Sequence, residues 1–181
     1  MIDHRTDFLS RFGADCAFKV FQTLPFTQRE VVVWEKQHKL PRLTCFFDDR
    51  GTGYRYSGQE TPSEEWTQEL LEMREMVENT AGGKFGACLA NLYRDGNDTV
   101  GWHRDNDHIF GTRMVIASVS LGAERKFRLR HRTTKEKLDF VLGHGDLLIF
   151  SDEHVRDWDH CVPRTAKPVG PRINLTFRST D

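Results

Sequence analysis

Residues 171–178 read Pro171-Arg172-Ile173-Asn174-Leu175-Thr176-Phe177-Arg178, and after the proline the alternation is strict. Arg172, Asn174, Thr176 and Arg178 hold the even positions; Ile173, Leu175 and Phe177 hold the odd ones. Successive side chains of a strand point to opposite faces, so this is a strand with one polar and one apolar side. The apolar triplet packs into a wall. The polar side faces either water, as on an edge strand, or the lumen of a barrel. In a barrel, two arginines are costly to bury without anions. A dicarboxylate answers that cost, because guanidinium groups bind carboxylates through paired charge-assisted hydrogen bonds. The Cα atoms of Arg172 and Arg178 lie roughly 20 Å apart at about 3.3 Å per residue, so long stems must lean inward to grip a small diacid.

Upstream of this strand the same texture continues. From Gly86 the chain reads as short strands broken by Gly and Asp turns: 87–93, 99–103, 114–121, 125–131, 137–142, 146–150, 156–162 and 171–178. Eight such strands suggest a double-sheet jelly roll, a double-stranded β-helix. Before them, Thr61-Pro62-Ser63-Glu64 has the form of a helix start, with Trp66, Leu70, Met73 and Val77 following at helical spacing. The spacing predicts a helix over 62–79, ended by Ala81-Gly82-Gly83, that braces one outer face. The fold class is α+β and mainly β, in one domain over 1–181 with its core at 86–178. Residues 1–60 form an N-terminal extension. It holds an apolar segment around Phe18, Val20, Phe21 and Leu24, a run Val31-Val32-Val33, and a turn-rich stretch 48–58 in which Tyr54 and Tyr56 share a strand face.

Composition narrows the class. At 181 residues with a net charge of −1, bulk charge gives no argument for a polyanion partner, so any such site needs local clusters of basic residues. Cys16, Cys45, Cys88 and Cys161 are scattered without C-x-x-C spacing, which reads as free thiols in a reducing, intracellular compartment. No apolar run is long enough for a signal peptide or a membrane span.

The chemistry-bearing residues are His103 and Asp105, in Trp102-His103-Arg104-Asp105-Asn106-Asp107, and His160, in Trp158-Asp159-His160-Cys161-Val162-Pro163. Two residues apart on an extended segment, His103 and Asp105 point the same way. Two neutral imidazoles and a carboxylate can occupy one face of an octahedral ion and leave the other open, the arrangement of non-heme Fe(II) oxygenases. An H-x-D pair alone is weak evidence. His4, His38, His108, His131, His144 and His154 have no such context and read as solvated or structural.

Taken in order, NLYRDGNDTVGWHRDND (91–107), IASVSLGAERKFRLRHR (116–132), GHGDLLIF (143–150), DWDHCVP (157–163) and PRINLTFR (171–178) resemble the AlkB family of Fe(II)/2-oxoglutarate-dependent nucleic-acid dioxygenases, and most closely its animal DNA-repair branch. The resemblance covers roughly residues 40–178. It implies that His103, Asp105 and His160 hold Fe(II). It implies also that Asn91 and Tyr93 hydrogen-bond 2-oxoglutarate, and that Arg172, Asn174 and Arg178 grip its carboxylates. O₂ is the second co-substrate. Asp107 stands where the family has an acidic contact to the base, while Asn106 replaces an acid that some relatives carry.

The activity so implied is oxidative demethylation of N-alkylated bases in DNA, such as 1-methyladenine and 3-methylcytosine. It is coupled to conversion of 2-oxoglutarate to succinate with release of formaldehyde, as direct-reversal repair. The base has to be flipped out or single-stranded to reach such a site. Tyr54 and Tyr56 would stack on it from an N-terminal nucleotide-recognition lid, or else pack the lid on the barrel. Trp34 is a candidate wedge or a buried core residue, and Arg42 a contact to phosphate or to the base pocket. Arg125, Lys126, Arg128, Arg130 and Arg132, with Lys135 and Lys137, would meet backbone phosphates or simply be solvated. The alternatives are an RNA base demethylase or other 2-oxoglutarate-dependent hydroxylase, and a cupin-like module that binds without turnover. A monomer without membrane contact is expected, cytoplasmic in a bacterium and nuclear in a eukaryote.

Overall fold

The computed structural model describes residues 2–33, 36–56, 59–105, 114–151 and 153–179. Fifteen strands and three helices follow one another along these segments. They are β1 (Ile2–Arg5), α1 (Arg11–Phe21), β2 (Glu30–Val33), β3 (Lys36–Lys39), β4 (Leu43–Asp48), β5 (Tyr54–Tyr56), β6 (Gln59–Thr61), β7 (Ser63–Glu64) and α2 (Gln68–Ala81). After them come β8 (Ala87–Tyr93), β9 (Val100–His103), β10 (Val115–Gly122), β11 (Arg125–His131), β12 (Lys137–Leu142), β13 (Leu147–Ser151), α3 (Glu153–Arg156), β14 (Trp158–Val162) and β15 (Arg172–Arg178).

A seven-stranded sheet in the order β1-β13-β10-β15-β8-β4-β7 faces a four-stranded sheet in the order β12-β11-β14-β9. This is the jelly roll that the strand pattern predicts. β15 lies at the centre of the larger sheet, paired antiparallel with β10 and β8, so the edge-strand alternative is excluded. Its two faces behave as their alternation dictates. Ile173, Leu175 and Phe177 join the core against α1 and α2, with Phe21, Leu70, Met73 and Val77. The polar positions look into the space between the sheets. There a second core, including Phe127, Leu129, Phe150, Trp158 and Val162, closes the barrel around them. Two hairpins, β2-β3 and β5-β6, stand outside both sheets.

Two sequence expectations need correction, and one element is added to them. The helix expected over 62–79 begins at Gln68, because the capping side chain is Thr67, whose Oγ1 accepts from the Leu70 N–H at 3.2 Å. Ser63 instead pairs with Phe46 in a parallel bridge, and its hydroxyl accepts from the Asp48 N–H at 2.9 Å. The helix ends at Gly82, in the left-handed conformation with φ 71°, where its N–H donates to the Glu78 carbonyl. The structure adds a second brace, α1: Ser10 caps it, accepting from the Gly13 N–H at 3.1 Å, and Ala14, Phe18 and Phe21 turn one stripe inward. Finally, the strand expected from 156 starts at Trp158, since Glu153–Arg156 coil into α3 with Val155 buried and His154 stacked on Trp158.

Gly122 ties these parts together. With φ +88°, it brings β10 so close to Pro171 that a Cβ would stand 2.4 Å from the Pro171 carbonyl oxygen and 2.7 Å from the Phe18 ring. The four cysteines are free, and no described helix is long and apolar enough to cross a membrane.

Candidate active site

β9 and β14 are antiparallel neighbours, and their register places His103 directly opposite His160, with ring centroids 4.2 Å apart. Asp105 follows two residues after β9 ends, on the same side as His103. One donor atom from each of the three residues lies within 4.8 Å of the other two. His103 Nδ1 lies 2.9 Å from the Gly101 carbonyl, so Nδ1–H donates there and Nε2 keeps its lone pair for the cluster. Asp105 Oδ1 accepts from Arg178 Nη2 at 3.1 Å.

The electrostatics suit a cation. Burial disfavours the Asp105 carboxylate, yet Arg178 and the two imidazoles outweigh it and hold the carboxyl well below the usual range. Burial, reinforced by His103, pushes the His160 imidazole down to about 3. Burial also lowers His103, against the pull of Asp105. At neutral pH the cluster is therefore two neutral imidazoles and one carboxylate, the protonation state that metal ligation requires. His160 Nδ1 is buried with no hydrogen-bond partner among the described residues. The donor set fits a first-row divalent ion bound on one face.

Beside the cluster lies an inner cavity whose floor is the polar face of β15. Register sets Arg172 opposite Tyr93 and Asn174 opposite Asn91. Arg172 is 2% exposed; its Nη2 donates to Ser120 Oγ at 2.9 Å, while Nε and Nη1 are buried with no hydrogen-bond partner among the described residues. Burial brings its pKa down to about 10. Arg125 and Arg172 flank the Tyr93 ring at 5.6 Å and 5.3 Å from its centroid. Asn174 is already satisfied. Its Nδ2 donates to Ser118 Oγ at 2.7 Å and to the Val119 carbonyl at 3.1 Å, and its Oδ1 accepts from Thr176 at 2.9 Å. Asn174 lines the cavity, with both amide protons taken by β10.

An outer cavity opens above the cluster, walled by Arg29, Glu30, Thr44 and Thr61 and sharing Arg42, Leu89, His103, Asp105 and Arg178 with the inner one. Sequence reading does not mark Arg29, Glu30, Thr44, Thr61 and Ser118 as wall residues, nor Ser120 as the partner of Arg172. Only the serines left a signal, two positions apart in Ser118-Val119-Ser120 on β10. Arg42 is buried between the cavities, donating from Nε to Asn91 Oδ1 at 3.0 Å and from Nη1 to the Thr99 carbonyl at 3.4 Å. Its place is the pocket wall, away from a phosphate-facing surface. Tyr54 and Tyr56 lie on β5, paired with Thr61 and Gln59 of β6. Their side chains, and Trp34 and Asp107 altogether, lie outside the described residues.

Three of the seven residues in the basic cluster expected on the smaller sheet are committed elsewhere. Arg125 is buried, donating to the carbonyls of Asp95, Asp98 and Pro163, which pin the turn beside β9. Arg128 pairs with Asp139, and Arg130 pairs with Asp159 while lying 4.5 Å over the exposed Trp102 ring. Lys126, Arg132, Lys135 and Lys137 remain exposed.

Comparison with known proteins agrees with this geometry. Residues 5–178 match the model of the 2OG-Fe(II) oxygenase superfamily. The chain is 34% identical over 176 residues to the cattle protein named alpha-ketoglutarate-dependent dioxygenase alkB homolog 3, covering 92% of this chain and 61% of that one. It is 35% identical over 182 residues to human DNA oxidative demethylase ALKBH2, covering 92% of this chain and 70% of that one. It thus spans about three fifths to two thirds of the length of these relatives. A solved structure described as that of OsALKBH1 superposes with a TM-score of 0.66 over 98% of this chain and 97% of that one, at 19% identity, a likeness of fold.

Proposed function

Because this chain belongs to the AlkB family within the 2OG-Fe(II) oxygenase superfamily, we propose that it oxidatively demethylates N-alkylated bases in DNA, 1-methyladenine and 3-methylcytosine among them. The observation that carries the reading is Arg172. A buried guanidinium lining a cavity, with Nε and Nη1 unpartnered among the described residues, calls for an anion, and the same cavity is lined by His103, Asp105 and His160.

In this reading His103, Asp105 and His160 would hold Fe(II), and the polar residues of the inner cavity would hold 2-oxoglutarate. Arg178 is already engaged with Asp105 at the metal end, so the remote carboxylate of the co-substrate falls to Arg172, six residues along the strand. Asn91 Nδ2 donates to the co-substrate and Tyr93 shapes the wall beside Arg172. When bound, iron with 2-oxoglutarate and O₂ supplies the oxidation that turns an N-methyl group into formaldehyde, with succinate and CO₂ as coproducts. Phe127, Phe150 and Val162 keep water from the far side of the cluster. The outer cavity receives the flipped base. The name of the ALKBH2 relatives, DNA oxidative demethylase, favours DNA over RNA as its source.

The test is product stoichiometry. The full chain with Fe(II), 2-oxoglutarate and O₂ is incubated with oligonucleotides carrying 1-methyladenine, as single-stranded DNA, duplex DNA and RNA. Formaldehyde formed one-for-one with repaired base in DNA supports the proposal. Turnover confined to RNA moves the substrate class, and succinate without base repair on any strand refutes the reading.

A further inference from the structure

We propose that Arg42 is a positioning residue that fixes the polarity of the Asn91 amide and, through it, links occupancy of the outer cavity to co-substrate binding in the inner one. The inference rests on the functional reading above.

The argument is one of donors and acceptors. A guanidinium can only donate, so the Asn91 atom 3.0 Å from Arg42 Nε is necessarily the amide oxygen. The amide nitrogen is then turned away from Arg42. Asn91 lines the inner cavity, and a keto acid there offers oxygen acceptors only. Asn174, across the ladder from Asn91, cannot stand in, because Ser118 and the Val119 carbonyl already take its Nδ2 protons. With the amide reversed, an oxygen would face the ligand's oxygens, and an attractive contact would become a repulsive one.

Arg42 is itself held. It is 8% exposed, and Nη1 reaches the Thr99 carbonyl at 3.4 Å. Nη2 has no hydrogen-bond partner among the described residues, and the side chain lines both cavities. A base in the outer cavity that offers a carbonyl oxygen or ring nitrogen to Nη2 therefore draws on the group that orients Asn91. Stiffening one contact stiffens the other, and such coupling is reciprocal.

The experiment is a double-mutant cycle read by calorimetric titration of 2-oxoglutarate into the Mn(II)-loaded full chain, without turnover. Arg42→Met and Asn91→Ala are each expected to weaken 2-oxoglutarate about tenfold, the scale of one hydrogen bond. The double variant should bind no more weakly than Asn91→Ala alone, because Arg42 acts through Asn91. Adding a 1-methyladenine DNA oligonucleotide should tighten 2-oxoglutarate binding in the wild type and not in Arg42→Met. Should Arg42→Met fail to fold, Arg42→Lys carries the cycle, since one ammonium cannot hold both Asn91 and the Thr99 carbonyl. An unchanged affinity in the single variant, additive losses in the double, or an oligonucleotide effect that is absent or survives the loss of Arg42 each overturn the inference. A wild-type protein that binds no 2-oxoglutarate overturns the functional reading first, and this inference with it.

Discussion

Arg178 Nη2 donates to Asp105 Oδ1 across 3.1 Å, joining the last strand of the larger sheet to the loop that follows the edge strand of the smaller one. Both side chains are nearly dry, at 4% and 5% exposure. The pair keeps one oxygen of Asp105 in a fixed place and leaves the other to the cluster. It also stands in for part of the charge that a bound cation would neutralise.

Arg178→Met should therefore leave a buried carboxylate without its strongest partner. Breaking a buried pair in this way costs about 3–5 kcal/mol. Denaturant unfolding of the metal-free variant should show a loss of that order, and Mn(II) should recover more stability in the variant than in the wild type. Equal stabilities without metal would contradict this account of the pair.

Arg172→Met should behave in the opposite sense. The wild-type guanidinium is buried with two nitrogens unpartnered among the described residues, so removing it relieves a desolvation cost and forgoes one hydrogen bond to Ser120. The metal-free variant should be at least as stable as the wild type to urea, while its affinity for 2-oxoglutarate falls at least about tenfold, a loss of about 1.4 kcal/mol or more. Large destabilisation with intact 2-oxoglutarate binding would show that Arg172 is structural.

Asp98 gives the pH dependence. Burial disfavours its charge, but Arg94 donates to it from its backbone N–H, Nε and Nη2, at 2.9, 2.8 and 2.9 Å, and holds its carboxyl below the ordinary value. A carboxyl lowered on folding contributes stability that is full above its unfolded pKa of about 3.9 and is lost as pH falls through the folded one. Asp98→Asn should cost about 1–3 kcal/mol at pH 7. The gap from wild type should close in acid, as urea unfolding at a series of pH values below about 4 would show. A gap that is constant with pH would assign the effect to packing.

Gly122→Ala tests the junction beside Arg172. The residue pairs with Arg172 in the sheet, and its positive φ and the nearby Pro171 carbonyl leave no room for a methyl group. Strain of about 1–3 kcal/mol is expected, read as a lowered unfolding midpoint. Affinity for 2-oxoglutarate should fall with it, as β10 and β15 separate. An unshifted midpoint would contradict the tight approach.

The residues that were legible in the sequence are those whose neighbours along the chain decide them. Strict alternation from Arg172 to Arg178 sets both faces of β15 wherever the strand lies, and the same parity puts His103 with Asp105. Helix starts were harder, because Thr61 and Thr67 are both plausible caps, and only the pairing of Ser63 with Phe46 decides between them. α1 was hidden because its stripe is short and broken by Gly13, so its helicity owes much to packing on β10. Alternation gives the face of Arg178 but not its partner, and Arg125 looks in sequence like any exposed arginine. Arg125 is claimed by three backbone carbonyls and Arg178 by Asp105, partners between 27 and 73 residues away, which no local pattern records.

The central claim is that His103, Asp105 and His160 equip this chain to strip methyl groups from DNA bases. The most direct measurement is intact mass spectrometry of a 1-methyladenine oligonucleotide after incubation with Fe(II), 2-oxoglutarate and O₂. The wild type should remove the mass of one CH₂ group per lesion, and Asp105→Ala, whose fold is checked by circular dichroism, should remove none. A methylated strand that keeps its mass with the wild type, or loses it equally with Asp105→Ala, would contradict the claim.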